Sequence, residues 1–456
     1  MEAAKAASAE VGRVGRRIFQ KIWDPEPTND RTSNEPVWCL GCQYTHGEKS
    51  HGAPSPCAAS TPPADTTAET EAKDIIHPNP TEDARRQQQV PETPPDSVAS
   101  SFDSALAYDN SNQDSGWPPA FLDDFESRIW MTYRTGFEPI PRSTDPKATA
   151  ALSFSMRLKT TFGDQTAFTS DTGWGCMIRS GQSLLANALQ VSRLGRDWRR
   201  ATDPDAEREI LSLFADDPRA PYSLHNFVAH GAAACGKYPG EWFGPSATAR
   251  CIQALASQHE SSLRVYSTGD LPDVYEDSFM AIANPEGDQF HPTLILVCTR
   301  LGIDKINPVY EEALISTLQM EQSIGIAGGR PSSSLYFVGV QGQWLFYLDP
   351  HHPRPLLPYR ESPQDYTAEE LDSCHTRRLR HLHVEDMDPS MLIAFLIKDE
   401  DDWDAWKSGV KHVQGKAIIT VSPHDPARGM GSARPGAIDE VETLSDDDDA
   451  DTVLEG

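Results

Sequence analysis

The chain has 456 residues, 24% charged and 38% hydrophobic, and its 68 Asp and Glu against 40 Lys and Arg leave a net charge of -28. That balance excludes a nucleic-acid-binding class, which needs a basic face for phosphate. No apolar run approaches a membrane span, the longest being residues 391–397.

The length would hold two or three average domains, but much of the chain is too poor in apolar residues for a core, so one domain of moderate size is expected. Eight scattered cysteines without a secretory leader read as reduced thiols of a cytoplasmic protein. Residues 1–30 form a flexible basic arm, in which Val11, Val14, Ile18 and Ile22 recur at helical spacing and suit an anionic membrane surface, although Gly12 and Gly15 weaken the helix. Residues 31–44 are a first core strand region. A strand there makes Cys39-Leu40-Gly41-Cys42 a poor metal knuckle, and a zinc set completed by Cys57 with His46 or His51 lacks a second regularly spaced pair. No metal or cofactor is expected. Residues 45–117, rich in Pro, Ser, Thr, Asp and Glu, cannot offset their ordering entropy and read as a disordered insertion.

The core resumes over residues 118–424. Phe121, Phe125, Ile129, Trp130 and Tyr133 at helical spacing predict an amphipathic helix. Residues 144–165 read as a loop. In Thr172-Gly173-Trp174-Gly175-Cys176 a tight turn feeds a second helix, whose apolar face is Met177, Leu184, Leu185 and Ala188. Residues 197–217 read as a solvated surface segment, 221–234 and 245–255 as helices, 263–266 and 293–298 as strands, and 311–319 as a short helix. Residues 325–331 are too glycine-rich to hold one conformation. Residues 335–348 read as a hairpin turning at Gln341-Gly342-Gln343, 391–398 as a core strand, 401–408 as a closing helix and 417–421 as an edge strand. Residues 425–456 form a disordered acidic tail.

Two places carry chemistry. Cys176 falls in the first turn of its helix, where unpaired N–H groups and the helix dipole favour an anion, so its thiol loses a proton readily and becomes nucleophilic. The competing reading is a small buried residue beside a core Trp. A thiolate needs a base, and the base an orienter. Asp349-Pro350-His351 offers both: in an extended chain held by Pro350, the two outer side chains face one site and His352 points away. A plain surface turn would use the same residues.

The stretch Thr169-Ser170-Asp171-Thr172-Gly173-Trp174-Gly175-Cys176-Met177-Ile178-Arg179 and the stretch Tyr347-Leu348-Asp349-Pro350-His351 resemble the two signature blocks of autophagin, the autophagy-related cysteine endopeptidase family. Further blocks agree in order, among them Pro36-Val37-Trp38-Cys39-Leu40-Gly41, Gly240-Glu241-Trp242-Phe243-Gly244-Pro245 and Gly325-Ile326-Ala327-Gly328-Gly329-Arg330-Pro331. The resemblance implies a papain-like α+β fold, a helical subdomain packed on one side of an antiparallel sheet. It implies Cys176 as nucleophile, His351 as base, Asp349 as orienter and Tyr133 as oxyanion donor, although packing alone would explain an aromatic at that position. It implies a substrate cleft formed by Trp242, Gly328, Gly329 and Pro331, with residues 325–331 as a lid; a core anchor and a surface turn are the plainer readings of Trp242 and of that segment. The implied substrate and partner is a ubiquitin-like autophagy modifier, cut after its C-terminal glycine as free precursor or released from phosphatidylethanolamine. Phe19-Gln20-Lys21-Ile22 would add a strand to that modifier's sheet. The enzyme would be a monomer in the cytoplasm, touching autophagosome-forming membranes only through its lipidated substrate. A deubiquitinase with the same chemistry, or a scaffold that holds the modifier without cutting it, would share these residues.

Overall fold

The computed structural model describes residues 26–29, 35–45, 115–152, 156–157, 166–200, 202–260, 262–330 and 333–426. The expectations for the basic arm with Phe19–Ile22, most of the insertion, the acidic tail, Cys57 and Pro331 lie outside these residues. The chain is α+β, built on a nine-stranded sheet. Its main path runs His381–His383, Trp344–Leu348, Ser333–Gln341, Ser323–Arg330, Ser390–Ile397, Thr293–Arg300, Arg264–Ser267. Every neighbouring pair on this path is antiparallel except the last, where Arg264–Ser267 lies parallel to Thr293–Arg300.

The sheet is covered on both faces, so the expectation of helices on one side needs correction. Successive strand residues point to opposite faces, and here both sets are apolar. Leu294, Leu296, Leu392 and Ala394 join one core with the helices Cys176–Leu194, Leu224–Ala234 and Pro245–His259. Ile295, Val297, Ile393 and Phe395 join a second with Glu276–Ala283, Glu311–Gln319 and Glu400–Lys411. Strands apolar on both sides are the pattern of a sheet buried twice.

Val37–Cys39 turns through Leu40 and Gly41, both at positive φ, into Cys42–Tyr44, and pairs with Ser333–Gln341. A Cβ on Gly41 would lie 2.2 Å from the carbonyl oxygen of Met320, so only glycine fits there. Cys42 is disulfide-bonded, which corrects the expectation of reduced thiols throughout; Cys39, Cys176, Cys235, Cys251, Cys298 and Cys374 are free.

Four further expectations change. The helix predicted through Tyr133 ends at Glu126, and Ile129 to Tyr133 run outside regular structure into the strand Arg134–Pro141. Part of the predicted loop 144–165 is a short helix, Pro146–Ala151, started by Asp145, which accepts the N–H of Lys147. The charged segment 197–217 is not wholly solvated, since Pro204–Ser212 is a helix burying Ile210 and Leu211. Residues 420–422 form a strand off the main sheet, parallel to Asp273–Tyr275. Among the described residues no helix is long and apolar enough to cross a membrane.

Candidate active site

Cys176 is the first residue of the helix Cys176–Leu194, after Gly173 at φ 95° and Gly175 as N-cap without a side-chain cap. The turn before it hangs on Asp171. Its carbonyl accepts the N–H groups of Trp174 (3.1 Å) and Gly175 (2.9 Å), and its carboxylate accepts the N–H of Arg134 (2.6 Å) and Nε of Arg179 (2.6 Å). Arg179 also pairs with Asp216 at 2.8 Å, and all three side chains are buried. A Cβ on Gly175 would meet the Asp171 carboxylate at 2.7 Å. The start of the helix is thus fixed by a buried ionic triad as well as by apolar packing.

Asp349 and His351 follow the strand Trp344–Leu348. They do not meet through an extended chain. Asp349 Oδ1 accepts the backbone N–H of His351 at 3.0 Å, a local turn, and stands 2.7 Å from its Nδ1. Arg380 Nη1 lies 3.3 Å from the other carboxylate oxygen. Around this turn the Trp130 indole donates to the Asp349 carbonyl at 2.8 Å, the N–H of Tyr133 to Pro350, and the N–H of Arg354 to Tyr133. His352 packs its ring against Trp130, with its Nε2 3.9 Å from the other Asp349 oxygen.

With Nδ1 facing Asp349, Nε2 of His351 meets Ser333 Oγ at 3.3 Å, and the ring and the Cys176 thiol act on each other's protonation. Burial alone would raise the Cys176 pKa. The hydrogen bond and charge of His351, the backbone N–H of Ser334 and the Trp242 indole, 3.2 Å from Sγ, outweigh it and hold the thiol below its ordinary value. Burial likewise lowers His351, but Asp349 and Cys176 raise it to about 9. Burial would raise Asp349, yet His351 and Arg380 hold it well below the usual carboxylate range. His352, desolvated and facing Arg380, is pushed down to about 4, unsuited to hold a proton at neutral pH. The pair Cys176–His351 therefore favours thiolate and imidazolium. Such a pair can attack a carbonyl and protonate the departing amine.

Tyr133 stands edge-on to the His351 ring, 5.3 Å between centroids, with its hydroxyl beside Cys176. Burial and the neighbouring thiolate raise its pKa, so its hydroxyl stays a donor. Cys176 is 2% exposed, covered by Trp242 and by the strand that begins at Ser333. The structure thus brings Cys176, Asp349, His351, Tyr133 and Trp242 together.

The glycine segment is different. Gly325 to Arg330 lie in the buried strand Ser323–Arg330, so the expectation of a conformationally loose segment is corrected. Its glycines answer to close packing: a Cβ would meet Phe337 O at 2.4 Å from Gly325, Met391 Cβ at 2.9 Å from Gly328, and Ser333 O at 2.0 Å from Gly329. Sequence reasoning missed Arg380, Ser333 and Ser334, which carry no local motif. It also missed Asp216; an acidic residue in a segment read as solvated gives no sign of a buried partner.

The peptidase C54 catalytic domain matches residues 118–409. "Probable cysteine protease ATG4" of Chaetomium globosum is 78% identical over 455 residues, covering all of both chains. The protein of the same name from Podospora anserina is 72% identical across all of this chain and 95% of its own. "Cysteine protease 1" of Neurospora crassa is 70% identical across all of this chain and 94% of its own.

Proposed function

Since the chain belongs to the peptidase C54 family and is a cysteine protease of the autophagy-related kind, we propose that Cys176, His351 and Asp349 are its catalytic residues. We further propose a ubiquitin-like autophagy modifier, cut after its C-terminal glycine, as its substrate. The observation that carries the catalytic assignment is the His351 ring, held 2.7 Å from Asp349 through Nδ1 and electrostatically paired with the Cys176 thiol.

In this reading the thiolate attacks the glycyl carbonyl. The unpaired N–H groups at the helix start and the Tyr133 hydroxyl stabilise the oxyanion. His351 gives its proton to the leaving amine and then draws one from the water that opens the thioester, while Asp349 holds the ring in the required tautomer. Peptide bond and phosphatidylethanolamine amide differ only in the leaving amine, so one site serves precursor processing and release from the lipid. Trp242 over Sγ favours a residue without a side chain at the cut, and Trp242 with the backbone at Ser334 must give way for substrate to reach the sulfur. The burial of Cys176 alone would suit a non-cutting scaffold, but a lowered thiol beside a raised imidazole is the state a nucleophile needs.

The fold is papain-like, with residues 118–424 as catalytic core joined by the strands within 31–44. The enzyme works without a cofactor as a monomer in the cytoplasm, meeting autophagosome-forming membranes through its lipidated substrate. Purified protein and its Cys176→Ala variant would be given a modifier tagged after its glycine, and the same modifier on phosphatidylethanolamine liposomes. Release of both products by the parent and of neither by the variant is expected. Preferential cleavage of a ubiquitin fusion would replace the substrate assignment, and equal release by the variant would remove Cys176 as nucleophile.

A further inference from the structure

A second cluster of thiols lies on the helical face, outside the contacts that join Cys176 to His351. His230 sits just before the last turn of Leu224–Ala234, Cys235 is the C-cap of that helix, and Cys251 comes from the middle of Pro245–His259. One ligand atom from each lies within 4.8 Å of the other two. We propose that His230, Cys235 and Cys251 bind one thiophilic divalent cation of the zinc type, with its fourth position open to water.

The geometry suits such an ion. Zinc–sulfur and zinc–nitrogen bonds of about 2.3 and 2.0 Å in a tetrahedron place ligand atoms roughly 3.5–3.8 Å apart. A contraction of that size from 4.8 Å lies within side-chain adjustment. Cys251 is fully buried while His230 and Cys235 are half-buried, which leaves an approach for the ion and room for a water ligand. The two thiols interact with each other and Cys235 with Arg250, and neither cysteine is in a disulfide. Cys235 and Cys251 make long sulfur contacts, 3.9 Å to the Ala247 carbonyl and 3.6 Å to the Phe227 carbonyl. Among the described residues His230 has no hydrogen-bond or ion-pair partner.

Two thiolates and a neutral imidazole carry a charge of -2 between them, which a divalent cation balances. Arg250 stands beside Cys235, an outer contact of the kind that orients metal ligands, and its Nε is buried without a hydrogen-bond partner. The scaffold is stiff, because Phe243 packs so closely on Gly231 that a Cβ there would meet its ring at 2.3 Å. The ion would hold both ends of the segment between Cys235 and the helix Pro245–His259, which delivers Trp242 to Cys176. A plain Cys235–Cys251 disulfide is the rival use of the two sulfurs, and it gives His230 no part.

Cobalt substitution distinguishes them. The full chain carrying Cys176→Ala, so that the active-site thiol cannot take metal, would be reduced, stripped and titrated with Co2+ and then Zn2+. One equivalent of Co2+ with sulfur charge-transfer and tetrahedral d–d absorption, displaced by Zn2+, is expected. Adding His230→Ala or Cys235→Ser should weaken binding by more than the roughly 10–100-fold that loss of an outer partner costs. His230→Gln and Cys235→Ala replace either variant if circular dichroism shows it unfolded. Absence of the bands, or bands unchanged in both second-site variants, overturns the proposal. So does a reduced protein that takes up no metal yet forms the Cys235–Cys251 disulfide under mild oxidant.

Discussion

Both faces of the central sheet bury aromatic rings, but among the described residues they differ in buried charge. The face that carries Cys176 buries ion pairs: Arg179 between Asp171 and Asp216, and Arg128 on Asp124 at 2.8 Å. The opposite face buries aromatic rings, with Trp403 stacked on Phe279 at 4.0 Å and Trp406 5.3 Å from Trp403. Apolar packing stabilises without fixing direction, whereas ionic hydrogen bonds fix direction at a desolvation cost. The division assigns the positioning of the thiol to the face with buried charge, and leaves the other face to hold the sheet by packing alone.

The largest expected effect tests the positioning end. Asp349→Asn should lower kcat/KM by roughly 10²–10⁴-fold while the protein stays folded. It should also move the alkaline limb of the pH profile. His351 is raised to about 9 by Asp349 and Cys176, so the imidazolium is present below that pH and lost as pH rises through it. With the carboxylate gone the limb should fall toward the ordinary histidine value. An unmoved limb would detach Asp349 from His351.

Next come two substitutions of similar cost to folding and different cost to function. Arg179→Met leaves two buried carboxylates unpaired and should destabilise by about 3–5 kcal/mol. Because Asp171 then loses its hold on the turn before Cys176, the surviving folded fraction should also lose activity. Trp406→Ala on the other face should destabilise by about 3–5 kcal/mol as well, with kcat/KM per folded molecule unchanged. Denaturant unfolding read beside active-site titration separates the two. Equal activity per folded molecule in both variants would break the division. Smaller again is Tyr133→Phe, which removes one oxyanion donor and should lower kcat about 10²–10³-fold with little change in KM.

What was legible in the sequence is what is encoded locally. Gly173 to Cys176 spell a turn and a helix start, and Asp349 and His351 lie within one turn of chain, so their meeting needs no distant contact. Even there the means differed, a hydrogen bond from the His351 N–H to Asp349 in place of an extended strand. What was illegible depends on partners far along the chain. Arg380 reaches Asp349, Ser334 reaches Cys176 and Asp216 reaches Arg179 only after the sheet has formed. The glycines at 325, 328 and 329 misled for the same reason: composition reports freedom, but the atoms that crowd them belong to Phe337, Met391 and Ser333.

The finest test makes one change on both faces. Trp242 holds its indole nitrogen 3.2 Å from Cys176 Sγ, and Trp403 holds its own 3.3 Å from Glu276 Oε1. Trp→Phe keeps an apolar ring at each place and deletes the donor, a loss worth about 0.5–1.5 kcal/mol. At Trp403 that loss should appear as stability alone, with the pH profile untouched. At Trp242 the donor favours the thiolate, so its removal should raise the thiol pKa by about one unit or less. The acid limb of kcat/KM would move up by that amount, because the thiolate is present above its pKa and lost as pH falls through it. Iodoacetamide labelling of Cys176 across pH reads the same shift without substrate. If Trp242→Phe moves neither profile, the indole covers the sulfur without tuning it, and the polar face does its positioning through His351 and the Asp171 network alone.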